Sequence, residues 1–209
     1  MATLKTFKAA YDDFVVHLLE LMGQRPEQRE RYSVLLGCDY ENGLLLASNM
    51  RCLMFMKAPD KLSVMDFKAR YKVTDIVSHI EYRLAIKYPF GGKADRVLTA
   101  DNLRTAIQKS MRLPREHYNP TVMLPDGNCY NSHYLNTALT FFAEDCIEAR
   151  TIPFNEEGVD GGDILMLRNQ DKDAFFYIRP DRNVEDSDMV RYVEGVTKEE
   201  LSGTLFDLL

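Results

Sequence analysis

Four cysteines, four histidines and two groups of carboxylates are the residues whose types and spacing would carry chemistry. Zinc sites and thiol redox centres need paired thiols, and Cys38, Cys52, Cys129 and Cys146 form no Cys-x-x-Cys pair. Three of them stand among apolar neighbours, which suits buried free thiols. His17, His79, His117 and His133 spell neither His-x-x-x-His nor His-Glu-x-x-His, the spacings that put two ligands on one helix face. Glu156, Glu157, Asp160 and Asp163 flank glycines, where a divalent cation would find several oxygens. Their spacing is not that of a calcium loop, and a solvated acidic loop is the plainer reading. Asp181, Glu185, Asp186 and Asp188 read as a charged linker. Gly91-Gly92-Lys93 lacks the earlier spaced glycine and the Ser/Thr of a phosphate-binding loop, and no nucleophile elbow or dinucleotide fingerprint occurs. The pattern predicts no catalytic centre, no metal and no cofactor, with a site assembled from dispersed residues as the enzymatic alternative.

Binding chemistry is better represented. Lys5 and Lys8 open the first strongly periodic segment, and Arg104, Lys109 and Arg112 share one side of a later one, with Arg115 just beyond Pro114. The net charge of -6 conceals a polarity: residues 1–120 hold 19 Lys/Arg against 14 Asp/Glu, or +5, and residues 121–209 hold 7 against 18, or -11. Such a chain can offer a basic face to an anionic partner while its acidic remainder discourages indiscriminate binding. Charged loops that simply differ in composition are the alternative.

The elements that must position these residues follow from periodicity. A chain of 209 residues, 45% hydrophobic and 28% charged, buries about 70% of its unfolded surface without staples. No run reaches the roughly 18 apolar residues of a membrane span, and the N-terminus lacks a signal-peptide block, so a cytoplasmic protein with no membrane contact is expected. Leu4, Phe7, Tyr11, Phe14, Leu18 and Leu21 predict a helix over 4–22, stopped by Gly23. Strands are expected at 32–40 and 43–48 around Asn42-Gly43, then at 52–57. Alternation predicts strands at Val64–Tyr71 and Arg83–Tyr88, with a helical turn at Thr74–His79 between them. A helix over Asp101–Arg112 follows, with Asp101 or Thr99 as its cap, then a strand from Thr121 and a turn at Asp126-Gly127. Asn131-Ser132 caps a helix to Phe142, and strands are expected at Cys146–Pro153, Ile164–Leu167 and Ala174–Ile178. Helix followed by three strands thus occurs twice, an internal repeat of structure without repeated residues.

Arg31-Tyr32 through Gly37, then Glu41 through Ala47-Ser48-Asn49-Met50-Arg51-Cys52-Leu53, resemble the strand-turn-strand passage of bacterial sliding clamps, the DNA polymerase III beta subunit. That passage ends in Ala-Thr-Asp-Gly-x-Arg-Leu; here the alanine, arginine and leucine are kept, the arginine one place earlier, and Met50 stands for glycine. Asn131-x-x-Tyr134-Leu135 resembles the helix of the last clamp domain, and Phe175 through Arg179-Pro180-Asp181-Arg182 resembles its closing aromatic strand and Met-Pro-x-Arg. Together these matches span roughly half the chain.

The resemblance implies an α+β, DNA-clamp-like fold: two helix-plus-antiparallel-sheet units forming one clamp-type domain with an enlarged connection. Residues 1–182 would be that domain, with unit 1 at about 1–60, the connection at 61–120 and unit 2 at about 121–182; residues 183–209 would be an acidic linker and a C-terminal helix or tail. It implies a noncatalytic protein of DNA replication or processivity, binding double-stranded DNA and replication proteins, and a homo-oligomer if it forms a ring. Lys5 and Lys8, on the first helix, and Arg104, Lys109, Arg112 and Arg115, on the most basic segment, which lies in the connection that the resemblance does not cover, are the candidate contacts to DNA phosphates. Arg179 and Pro180 stand where clamps dock partner peptides, and Leu205-Phe206 resemble the Leu-Phe end of such peptides. A C-terminal helix capped by Thr197, with Leu201, Leu205 and Leu208 packed on the body, is the alternative for the tail. A protein-interaction module that keeps this fold without encircling or binding DNA is the alternative function.

Overall fold

A computed structural model describes residues 2–24, 33–49, 51–113, 120–153, 163–182 and 184–194. Its framework is two antiparallel three-stranded meanders joined edge to edge. β1 (Leu35–Asp39), β2 (Leu44–Ser48) and β3 (Cys52–Lys57) form the first, and β8 (Cys146–Pro153), β9 (Asp163–Arg168) and β10 (Ala174–Ile178) the second. β3 pairs antiparallel with β10, with Phe55 opposite Phe175. Gly43, at φ +65°, makes the turn from β1 to β2, a conformation that Gly adopts without a Cβ penalty.

Two short strands finish the sheet. β4 (Thr74–Asp75) runs parallel to β1, and β5 (Arg96–Thr99) antiparallel to β8, giving the order β4-β1-β2-β3-β10-β9-β8-β5. Both faces of the sheet are covered, so the strands bury residues of either parity. Leu45, Ala47, Leu165 and Leu167 face one core, and Leu46, Ile164 and Met166 face the other.

The larger core lies beneath a layer of helices: α1 (Leu4–Gln24), α2 (Lys61–Arg70), α4 (Ala100–Ser110) and α5 (Ser132–Phe142). α1 and α5 lie antiparallel, for Phe7 meets Phe141 near one end and His17 stacks on His133 near the other. Phe14 and Phe141 both reach Phe176 of β10, so the helix pair straddles the second meander's inner edge. Asn131 caps α5 by accepting the His133 amide, as its sequence predicts.

The smaller core lies under α3 (Ile80–Lys87) and the loop after it, which place Tyr82, Ala85 and Phe90 on residues of both meanders. Two buried polar clasps fasten this crossing. Tyr82 donates to the buried Asp39 carboxylate at 2.6 Å, and Arg168 donates to the Phe90 and Gly92 carbonyls and to Glu148. A separate three-stranded sheet pairs β6 (Thr121–Met123) with β7 (Cys129–Asn131) and with β11 (Met189–Arg191). β11 and the 3-10 turn Asp186–Asp188 fall within the stretch read as acidic linker.

The chain is therefore α+β, and three local expectations are corrected. Val64–Tyr71 and Arg83–Tyr88 are not strands; they belong to α2 and α3, which bury Val64 with Phe67 and Tyr82 with Ala85, each pair at helical spacing. Asp60 caps α2 by accepting the Ser63 amide at 2.7 Å. Thr74–His79 is a turn only at its end, where the His79 amide donates to the Ile76 carbonyl at 2.8 Å. Its first two residues pair with β1, where Gly37 leaves room for Ile76: a Cβ on Gly37 would lie 1.6 Å from the Ile76 Cγ2.

Candidate nucleic-acid interface

The predicted DNA-facing cations are all on the helix layer where described, but in two separate places. Lys5 is exposed on the first turn of α1. Lys8, one turn on, pairs with Asp12 and holds its ammonium 5.7 Å from the Tyr11 ring and 5.2 Å from the Tyr71 ring. Arg104 is exposed on α4 and pairs with Asp101 at 2.8 Å. Lys109 occupies the last turn of α4, where a cation suits the helix dipole, and Arg112 follows it, exposed. Arg115 lies outside the described residues.

The end of α4 adjoins the start of α5, where Ser110 and Ser132 share a 2.6 Å hydrogen bond. The start of α1 adjoins the end of α5 through Phe7 and Phe141. Lys5 and Lys8 are thus separated from Lys109 and Arg112 by the length of α5. α5 itself contains no Lys or Arg, and Asn136 is its exposed residue.

Sequence reasoning missed three cations. Lys68, Arg70 and Lys72 are exposed at the end of α2, beside Lys8. Read as a strand, this segment lines up Lys68, Arg70 and Lys72 with Asp66 on the outer face of a sheet; read as a helix, it brings the three cations to a C-terminus next to α1. Asp60 followed by Lys61-Leu62-Ser63 was the usable signal, because it spells a helix cap.

The predicted partner-binding residues lie where the two meanders meet. The Arg179 amide donates to the Arg51 carbonyl at 3.1 Å, and the Asp181 amide to the Cys129 carbonyl at 2.8 Å. Arg179 and Pro180 are half-buried. Asn49 organises the adjoining turn, its side-chain oxygen accepting from the Arg51 and Cys52 amides and from the Cys52 thiol. Burial raises the Cys52 thiol well above its ordinary range. Burial likewise raises the Asp181 carboxyl, against the opposing pull of Arg51, and its Oδ2 has no hydrogen-bond partner among the described residues. Leu205 and Phe206 lie outside the described residues, as do Glu156, Glu157, Asp160 and the C-terminal helix proposed from Thr197.

Among the described residues, no three His, Cys, Asp or Glu side chains converge as a metal site, and no helix is long and apolar enough to cross a membrane. His17 and His133 come together, rings 4.6 Å apart, but as a stack between helices. Compared with protein-family models, curated proteins and solved structures, the chain matches none.

Proposed function

We propose that this chain is a noncatalytic, sliding-clamp-like protein that associates with double-stranded DNA and with replication proteins. One observation carries the reading: two units of a helix followed by a three-stranded meander are joined antiparallel at β3 and β10, with α1 and α5 side by side on one face. That arrangement supports the clamp resemblance, and on this reading the helix layer is the side that faces the partner. On this reading residues 1–182 are one clamp-type domain, the protein acts in the cytoplasm, and encirclement of DNA requires it to assemble with further copies. Arg179 and Pro180, at the seam, are the candidates for docking a partner protein.

Light scattering over a concentration series, followed by retention on circular and linearised duplexes, tests this reading. A closed oligomer that stays on circular DNA and escapes from linear DNA is expected. A monomer that leaves both equally overturns encirclement. One observation favours a second reading, a protein-interaction module that does not bind DNA. The centre of the helix layer carries no cation on α5, and the exposed stripe of α1 there includes Val16 and Leu19.

A further inference from the structure

We infer that the DNA-binding surface of this protein centres on the start of α1 and the end of α2, with Lys5, Lys8, Lys68, Arg70 and Lys72 contacting the phosphates of duplex DNA. The inference rests on the DNA-associated reading above and locates the surface that carries it.

Aromatic packing brings these residues together. The Phe67 ring stands edge-on to Phe7, centroids 5.7 Å apart, which holds the last turn of α2 against the first turns of α1. Phe67 also packs on Tyr71 at 4.6 Å, and the Lys8 ammonium lies over that tyrosine. Arg70 and Lys72 flank Tyr71 in the chain, Lys68 lies less than one turn before it, and Lys5 is about one turn from Lys8. Lys5, Lys68, Arg70 and Lys72 are exposed. Lys8 with Asp12 is the ion pair of this group among the described residues, and Asp66 stands one turn before Arg70.

Helix stability alone does not account for the group. Lys68 and Arg70 face the negative end of the α2 dipole and favour that helix. Lys5 and Lys8 oppose the dipole of α1, whose first turn contains no acidic residue. An external anion would relieve that conflict. On α4 Arg104 is held by Asp101 as Lys8 is by Asp12, and Lys109 complements its helix end as Lys68 and Arg70 do theirs; what sets the α1–α2 group apart is that cations from two helices gather around Tyr71, with Lys5 on an acid-free first turn. Tyr11 and Tyr71 are half-buried beneath Lys8 rather than open to stack on bases, which favours a duplex backbone over a single strand.

Anisotropy of a labelled duplex, titrated with the full-length protein over about 25–200 mM salt, decides the matter. Lys68→Ala with Arg70→Ala and Lys72→Ala is expected to weaken binding at least about tenfold and to flatten the log K against log salt slope by about 2–3. Lys68→Arg with Arg70→Lys and Lys72→Arg keeps the charge and restores both. Arg104→Ala with Lys109→Ala and Arg112→Ala is expected to change affinity less than about threefold. If the α4 triple abolishes binding while the α2 triple leaves affinity and slope unchanged, the placement is overturned and the DNA reading stands. If the unaltered protein binds no DNA at low salt, both fall. Tighter binding to a single strand of the same sequence overturns the duplex assignment.

Discussion

α1 and α5 each precede a three-stranded meander and lie side by side, yet they meet the solvent very differently. α1 keeps Lys5, Asp12, Val16, Leu19 and Glu20 at the surface, whereas α5, enclosed between α1 and α4, exposes Asn136 and buries Phe141 and Phe142 completely. The same helix-and-meander plan therefore yields one helix that presents residues and one that organises a core. The edges differ in the same sense. β1 ends the first meander beside a two-residue parallel strand, and β8 ends the second beside a four-residue antiparallel one. α5 and its meander form the more closely packed half, and the half with α1 and α2 is the one that offers positive charge.

The sharpest way to break this contrast is to empty the core beneath α5. Phe141 meets the rings of Phe7, Phe142 and Phe176, so Phe141→Ala is expected to cost about 3–5 kcal/mol, read as a lower urea midpoint at unchanged slope. Phe14→Ala beneath α1 should cost less, and an equal or greater loss would remove the distinction. Arg168→Ala comes next. It strips donors from two carbonyls and leaves Glu148 without its guanidinium, at about 3 kcal/mol, and Arg168→Lys is expected not to restore the forked contacts.

Gly37→Ala tests the first meander's edge, where the added carbon meets Ile76 and the Thr74 carbonyl, and a loss of about 2 kcal/mol is expected. Gly23→Ala, whose carbon meets open space at the end of α1, should instead stabilise by about 0.5–1 kcal/mol. Between the two units, burial and then the neighbouring His133 lower the His17 imidazole to about 4 from an ordinary 6.5, while Glu20 pulls the other way. The unfolded chain takes up this proton below about 6.5 and the folded chain only near 4. The contribution is therefore complete above about 6.5 and is lost as pH falls through that window, by about 2 kcal/mol once solvent screening of the partly exposed ring reduces the full effect. Urea midpoints across this range should show the slope, and His17→Phe should remove it; an unchanged slope assigns it elsewhere. The smallest contrast is between caps. Asn131→Ala, buried at α5, is expected to cost about 1 kcal/mol, and Thr3→Ala, exposed at α1, about half that, by thermal denaturation.

Unit 2 was also the more legible half in sequence. Ser132–Phe142, Cys146–Pro153 and Ala174–Ile178 are read with the boundaries they have, because a side-chain cap or a turn bounds each and apolar periodicity runs through it. The first part of the connection was misread because α2 and α3 are short, whereas the helix expected at Asp101–Arg112 is α4. Met65, Phe67, Ala69 and Tyr71 alternate with charged residues as in a strand, although Met65 is exposed and the buried pair is Val64 with Phe67, and that alternation concealed the helical, basic end of α2. β4, β5 and β11 carry little local signal: their pairing comes from distant strands, and β4 depends on the space left by Gly37. Lys5, Lys8 and the α4 cations were visible as residues, but their separation by the length of α5 is a property of packing that no linear spacing encodes.

The pairing of β3 with β10 has a consequence in time. Phe55 waits for Phe175, 120 residues further along the chain, to complete its ladder. At synthesis rates of about 5–20 residues per second, the nascent edge of Cys52–Lys57, almost wholly apolar, stays without its partner for about 6–24 s. During that interval the helices that cover the first meander's faces are already made, and its β3 edge is what stays open, an apolar unpaired edge of the kind that invites wrong pairing.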